Sequence, residues 1–106
     1  MKKEVDVRNI NKTVHGAVRK TLEDIFGKVV ASFILKEAYL SGYDPLDPVT
    51  TIDKLLKMLK SLFGRGSIVV EKTMADEVKM RLGLKVNEFK EFSEIIRILK
   101  ETKHNP

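Results

Sequence analysis

Along nearly the whole of this 106-residue chain, apolar residues recur at intervals of three and four, and a glycine stands near the point where most runs stop. That period places side chains on one stripe of an α-helix and leaves little for a sheet to use. Val14, Ala17, Val18, Leu22, Ile25 and Phe26 make the first stripe, from Thr13 to Gly27. Lys28 to Leu40 is apolar nearly all round, through Val29, Val30, Ala31, Phe33, Ile34, Leu35 and Ala38, the pattern of a central helix covered by others. Ser41-Gly42 ends it, and Pro45 and Pro48 keep the next loop from continuing the helix. Thr50-Thr51-Ile52-Asp53 offers a hydroxyl cap and an acid to a third helix, striped by Ile52, Leu55, Leu56, Leu59, Leu62 and Phe63. After Gly64-Arg65-Gly66, Ser67 is placed to cap a fourth, carrying Val70, Met74, Val78 and Leu82 and stopping at Gly83. Asn87 opens a fifth, to about Lys103, with Phe89, Phe92, Ile95, Ile96 and Leu99 inward. The expectation is an all-α fold, a compact bundle of about five short helices.

Only Val5-Asp6-Val7-Arg8-Asn9-Ile10 departs from this period, alternating apolar and polar in the manner of a short strand. Residues 1–12 therefore read as an amino-terminal arm or strand, and 13–106 as a single helical domain. A strand there has no partner elsewhere in the chain, so pairing would require another molecule.

Hydrophobic residues at 42% and charged residues at 33% exclude a disordered polar tail and a membrane protein alike. The longest apolar run, Val29 to Leu35, falls far short of the roughly 20 residues a spanning helix needs. Met1 to Asp6 lacks the apolar segment of a secretory signal, so a cytoplasmic location is the default. The chain has no cysteine, which excludes disulfides, thiolate metal sites and cysteine nucleophiles. Its two histidines, His15 and His104, stand far apart, so no metal and no cofactor is expected. His104 lies in a tail, Lys103 to Pro106, expected to be disordered. Absent glutamine, four asparagines and abundant lysine fit a protein from a hot environment.

Net charge is +5, unevenly spread: +4 over residues 1–20, −4 over 21–53, +5 over 54–85 and zero beyond. Lys54, Lys57 and Lys60 fall opposite the third helix's apolar stripe, and Arg65, Lys72, Lys79 and Arg81 extend the basic series. Such a surface can follow a phosphate backbone; equally, lysine is the ordinary way to keep a helix face wet. Leu56 to Leu82 can be read as a helix-turn-helix, yet its second helix opens Ser67-Ile68-Val69-Val70-Glu71, which suits packing better than base edges.

Val18 to Gly27, Phe63 to Glu71 and Arg81-Leu82-Gly83-Leu84 together resemble a small helical archaeal family, the output domain of the Nitrosopumilus type. The resemblance spans about residues 14–84. It implies an interaction role within signalling or regulatory chains and no catalytic residues.

Other features support little chemistry. Glu71 comes round to the apolar side of its helix, as a tuned acid or as a first-turn carboxylate near the positive helix end, and no second carboxylate accompanies it. His15, at the margin of the first stripe, is either a neutral-pH switch or a packing residue. Gly64-Arg65-Gly66-Ser67 lacks the spacing of a phosphate loop and reads as a sharp reversal. With no site to build an enzyme from, the expected function is a non-enzymatic interaction module. A nearly all-apolar helix in so small a bundle calls for extra cover, from a second copy or another protein. Tyr39, Tyr43, Leu46, Phe92, Ile95 and Ile98 are the expected interface. The alternative is a small DNA- or RNA-associated protein using the surface from Lys54 to Lys85.

Overall fold

Gly27 decides the architecture. In the computed structural model, which describes residues 7–83 and 92–104, helix α1 (Val7–Leu40) is interrupted at Gly27, with φ 84° and ψ 163°. Glycine alone adopts that conformation readily. A Cβ at this position would meet nothing within 4 Å, so backbone conformation rather than space requires the residue. A straight helix of 34 residues would run about 51 Å, more than the molecule's longest dimension of 42 Å. The Tyr43 hydroxyl lies 2.9 Å from His15 Nδ1, so the second limb (28–40) returns along the first (7–26).

The chain continues through α2 (Pro48–Phe63), a 3-10 turn (Gly64–Gly66), α3 (Ser67–Leu82) and α4 (Phe92–His104). No strand occurs among the described residues. Helix α1 packs chiefly on α3 and then on α2, and α4 rests on α3 and α2. Val14, Ala17, Val18 and Leu22 of the first limb share one core with Ala31, Ile34 and Ala38 of the second. Ile52, Leu55 and Leu59 of α2 join them, with Val70, Met74 and Val78 of α3 and Phe92, Ile95, Ile96 and Leu99 of α4. Ala17, Ala31, Ala38 and Ala75 are buried among these larger side chains. The Cα radius of gyration is 13.4 Å, the value of about 13 Å expected for one compact domain of this length.

The loop between α1 and α2 is tied by its own polar groups. The Asp44 amide donates to Thr51 Oγ1 at 2.8 Å, and Thr51 Oγ1 donates to the Asp47 carbonyl at 2.8 Å. The Leu46 amide donates to Asp44 Oδ1 at 2.9 Å. Across the core, the Val49 amide donates to Asn11 Oδ1 at 3.4 Å, holding the start of α2 on the first limb. Thr21 Oγ1, by contrast, is buried with no hydrogen-bond partner among the described residues.

Several sequence expectations are corrected. The stop expected at Gly27 is present, but the runs 13–26 and 28–40 join directly through it as the two limbs of α1, so the described residues hold four α-helical elements and a 3-10 turn where about five short helices were expected. Val7 to Ile10 open α1, because Ile10 and Val14 join one buried stripe; the expected strand, and the boundary after residue 12, are absent there. Helix α2 starts at Pro48, whose missing N–H costs nothing in a first turn, and Thr50 Oγ1 donates to Asp47 Oδ1 instead of capping the helix itself. Ser67 is buried within the first turn of α3 and makes no side-chain cap bond there. Helix α4 runs through His104, which the sequence left in a disordered tail. Asn87 and Phe89 lie outside the described residues. The nearly all-apolar second limb is not central: Val29, Val30, Phe33, Tyr39 and Leu40 face solvent.

Candidate interaction surfaces

The sequence-derived basic surface divides in two. Lys54, Lys57 and Lys60 are exposed on the outer face of α2, with the carboxylate of Asp53 on the same helix also exposed. The stem of Lys54 packs beside Gly42, and Lys60 faces Glu71 of α3 closely enough to act on its ionisation. Arg65 and Lys72 are also exposed. Lys79 is corrected: it is 4% exposed, on the inward side of α3, with Asp76 Oδ1 at 3.5 Å from its Nζ. Arg81 is exposed but belongs to the side of α3 that meets the first limb, where its Nε donates to Glu77 Oε2 at 2.8 Å and its guanidinium lies over Gly16. Of the seven, only Lys79 is buried; Lys54, Lys57, Lys60, Arg65 and Lys72 are exposed on α2, the turn and α3, and Arg81 is exposed beside the first limb.

The expected protein interface fares unevenly. Tyr39 and Leu46 are exposed, whereas Tyr43, Phe92 and Ile95 are core residues and cannot form a surface. Phe92 and Ile95 lie on the inner stripe of α4 with Ile96 and Leu99. Ile98 is half-buried. Asn11, Lys12, Pro45 and Leu46 line a shallow groove of about 280 Å³ where the loop crosses the start of α1.

Large apolar side chains in solvent concentrate elsewhere. Phe26 stacks on Phe63 with ring centroids 4.9 Å apart, which brings the Gly27 reversal and the 3-10 turn to one end of the bundle. Around that end Ile25, Val29, Val30, Phe33, Leu62, Phe63, Ile68 and Val69 are exposed. Ile68 and Val69 also correct the expectation that the apolar start of α3 packs inward; of its first turn Ser67 and Val70 do so. A reading helix needs hydrogen-bonding side chains at its start, and these two residues present none.

Three titratable groups among the described residues are shifted by their surroundings in ways that bear on the fold. Burial, and secondarily Arg19, lowers the pKa of His15, while burial and then Asp44 raise that of Tyr43 well above the usual phenol value. Both are neutral near pH 7, and the Tyr43 hydroxyl donates to His15 Nδ1 when the imidazole proton sits on Nε2. This bond pins the loop onto the first limb. Glu71 lies in the second turn of α3, not the first, and burial raises its pKa against the opposing influence of Lys60. Among the described residues no group of three or more His, Asp or Glu side chains is placed to hold a metal ion. No helix of the described residues is long and apolar enough to cross a membrane. The chain matches no known family, no curated protein and no solved structure.

Proposed function

We propose that this domain is a non-enzymatic interaction module of the output type, acting in archaeal regulation and self-associating through exposed apolar side chains. One observation carries the reading. Val29 is 85%, Phe33 56%, Ile68 65% and Val69 65% exposed, at positions where a chain of this size has polar alternatives available. A monomer gains nothing by wetting Phe and Ile, while burying a side chain of that size on a partner contributes about 1.5–3 kcal/mol. The resemblance of Val18 to Gly27 and Phe63 to Glu71 to the Nitrosopumilus output domain supports the same role. Light scattering at high micromolar concentration tests it: a mass above the 12.1 kDa of one chain is expected, and a single-chain mass at every concentration overturns self-association.

A second reading rests on Lys54, Lys57 and Lys60, three exposed cations on one helix face. It makes the domain a small DNA- or RNA-associated protein. Fluorescence anisotropy on a labelled duplex separates the two readings. Backbone binding by three to five cations gives a log–log salt slope of roughly −2.7 to −4.5, lost on substitution of these lysines by Glu; no binding at low salt removes this reading.

A further inference from the structure

The second limb of α1 carries a register as well as an apolar excess. Val29, Phe33, Lys36 and Leu40 are all exposed, and the spacing four, three, four places them on one stripe, opposite the buried Ala31, Ile34 and Ala38. Those intervals are the alternating core positions of a heptad seam, on a helix whose inner face is already occupied. They are also palindromic. An antiparallel copy of the same helix sets Val29 against Leu40 and Phe33 against Lys36, and then repeats both pairs by symmetry.

We propose that the outer face of residues 28–40 is the seam of a two-fold homodimer, with the two limbs antiparallel. This rests on the reading of the domain as self-associating and adds the surface and the register. A two-fold interface must be self-complementary, and the stripe is: Leu40 covers the partner's Val29, and Lys36 lays its stem and ammonium on the partner's Phe33 ring. A lone lysine in an otherwise apolar seam penalises slipped alignments, where it would face Val or Leu. With ordinary whole-residue areas of about 150–220 Å², the exposed parts of Val29, Phe33 and Leu40 offer roughly 400 Å² on the seam itself. With the stem of Lys36 this is a small interface, below the ~800 Å² per partner of a standard one, and it fits a weak, concentration-dependent dimer.

The chain has no native cysteine, so introduced thiols report without background. Val29→Cys and Leu40→Cys proteins are oxidised separately and as an equimolar mixture, with wild-type mass measured in parallel. The expected result is a disulfide-linked dimer in the mixture alone, pairing residue 29 with residue 40. Phe33→Glu is expected to raise the dimer dissociation constant by about tenfold or more with unchanged far-ultraviolet circular dichroism. Self-linked Val29→Cys dimers overturn the antiparallel register. A dimeric wild type with no 29–40 linkage and no response to Phe33→Glu overturns the surface while leaving self-association standing. A monomeric wild type overturns both.

Discussion

Replacing Gly27 by Ala should destabilise the protein although the added methyl group touches nothing. No atom lies within 4 Å of the Cβ position, so a steric account expects no cost. The cost is conformational: φ 84° with ψ 163° is open to glycine and strained for every other residue, at about 1–3 kcal/mol. Against this, alanine stiffens the unfolded chain, which offsets about 0.4–1 kcal/mol. The net expectation is a loss of about 1–2 kcal/mol, or roughly 5–15 °C in Tm for a domain of this size. Urea denaturation followed by circular dichroism measures it. Gly16→Ala is the control, since Gly16 lies within the regular helix of the first limb. Its Cβ would meet only the flexible end of Arg81, with Nη1 at 2.7 Å. Helix propensity there favours alanine by about 0.5–1 kcal/mol, so this variant should be neutral or more stable. A Gly27→Ala protein as stable as wild type would refute the argument that the reversal at residue 27 holds the two limbs together.

Other outcomes follow from single residues. Thr21→Val removes a buried hydroxyl with no partner among the described residues at nearly constant volume, and should leave stability unchanged or raise it by about 1 kcal/mol in thermal denaturation; a clear loss would show that Oγ1 is hydrogen-bonded. Leu59, fully buried on α2, should cost about 2–5 kcal/mol on truncation to Ala, and a urea midpoint within error of wild type would deny it a place in the core. Because the folded protein lowers the pKa of His15, the unfolded chain takes up its proton first. The contribution is therefore fully present above pH 6.5 and declines as pH falls toward the lower folded value. His15→Phe should flatten that part of the stability–pH curve, and an unchanged curve would remove His15 as its cause.

The helical character of the chain was legible because each stripe repeats cleanly: Ile52, Leu55 and Leu59 are buried as their spacing required. The reversal was legible as a stop at Gly27, but not as the hinge of a folded-back pair, since a helix break specifies no angle. The start of α1 was misread because Val5 to Ile10 satisfies a period of two locally, while Ile10 pairs with Val14 on a helical period. Lys79 illustrates a different failure. Charge suggested exposure, but a long apolar stem allows burial where Asp76 meets the ammonium group at 3.5 Å. Tyr43 was expected on the surface because it adjoins a proline loop, and is buried with its hydroxyl 2.9 Å from Nδ1 of His15 on the first limb. The apolar excess of residues 28–40 was read as a central helix in need of extra cover. Which of its side chains stay exposed could be read only once Ala31, Ile34 and Ala38 had been assigned to the core.

The claim that apolar rather than basic side chains form the working surface is tested most directly by sedimentation equilibrium on three proteins. These are the wild type, Phe33→Glu, and the triple variant Lys54→Glu, Lys57→Glu, Lys60→Glu. The account predicts a monomer–dimer equilibrium for the wild type, its retention in the triple variant, and its loss in Phe33→Glu. A wild type that stays at 12.1 kDa across the concentration range, or a dimer abolished by the lysine substitutions and untouched at Phe33, would contradict it.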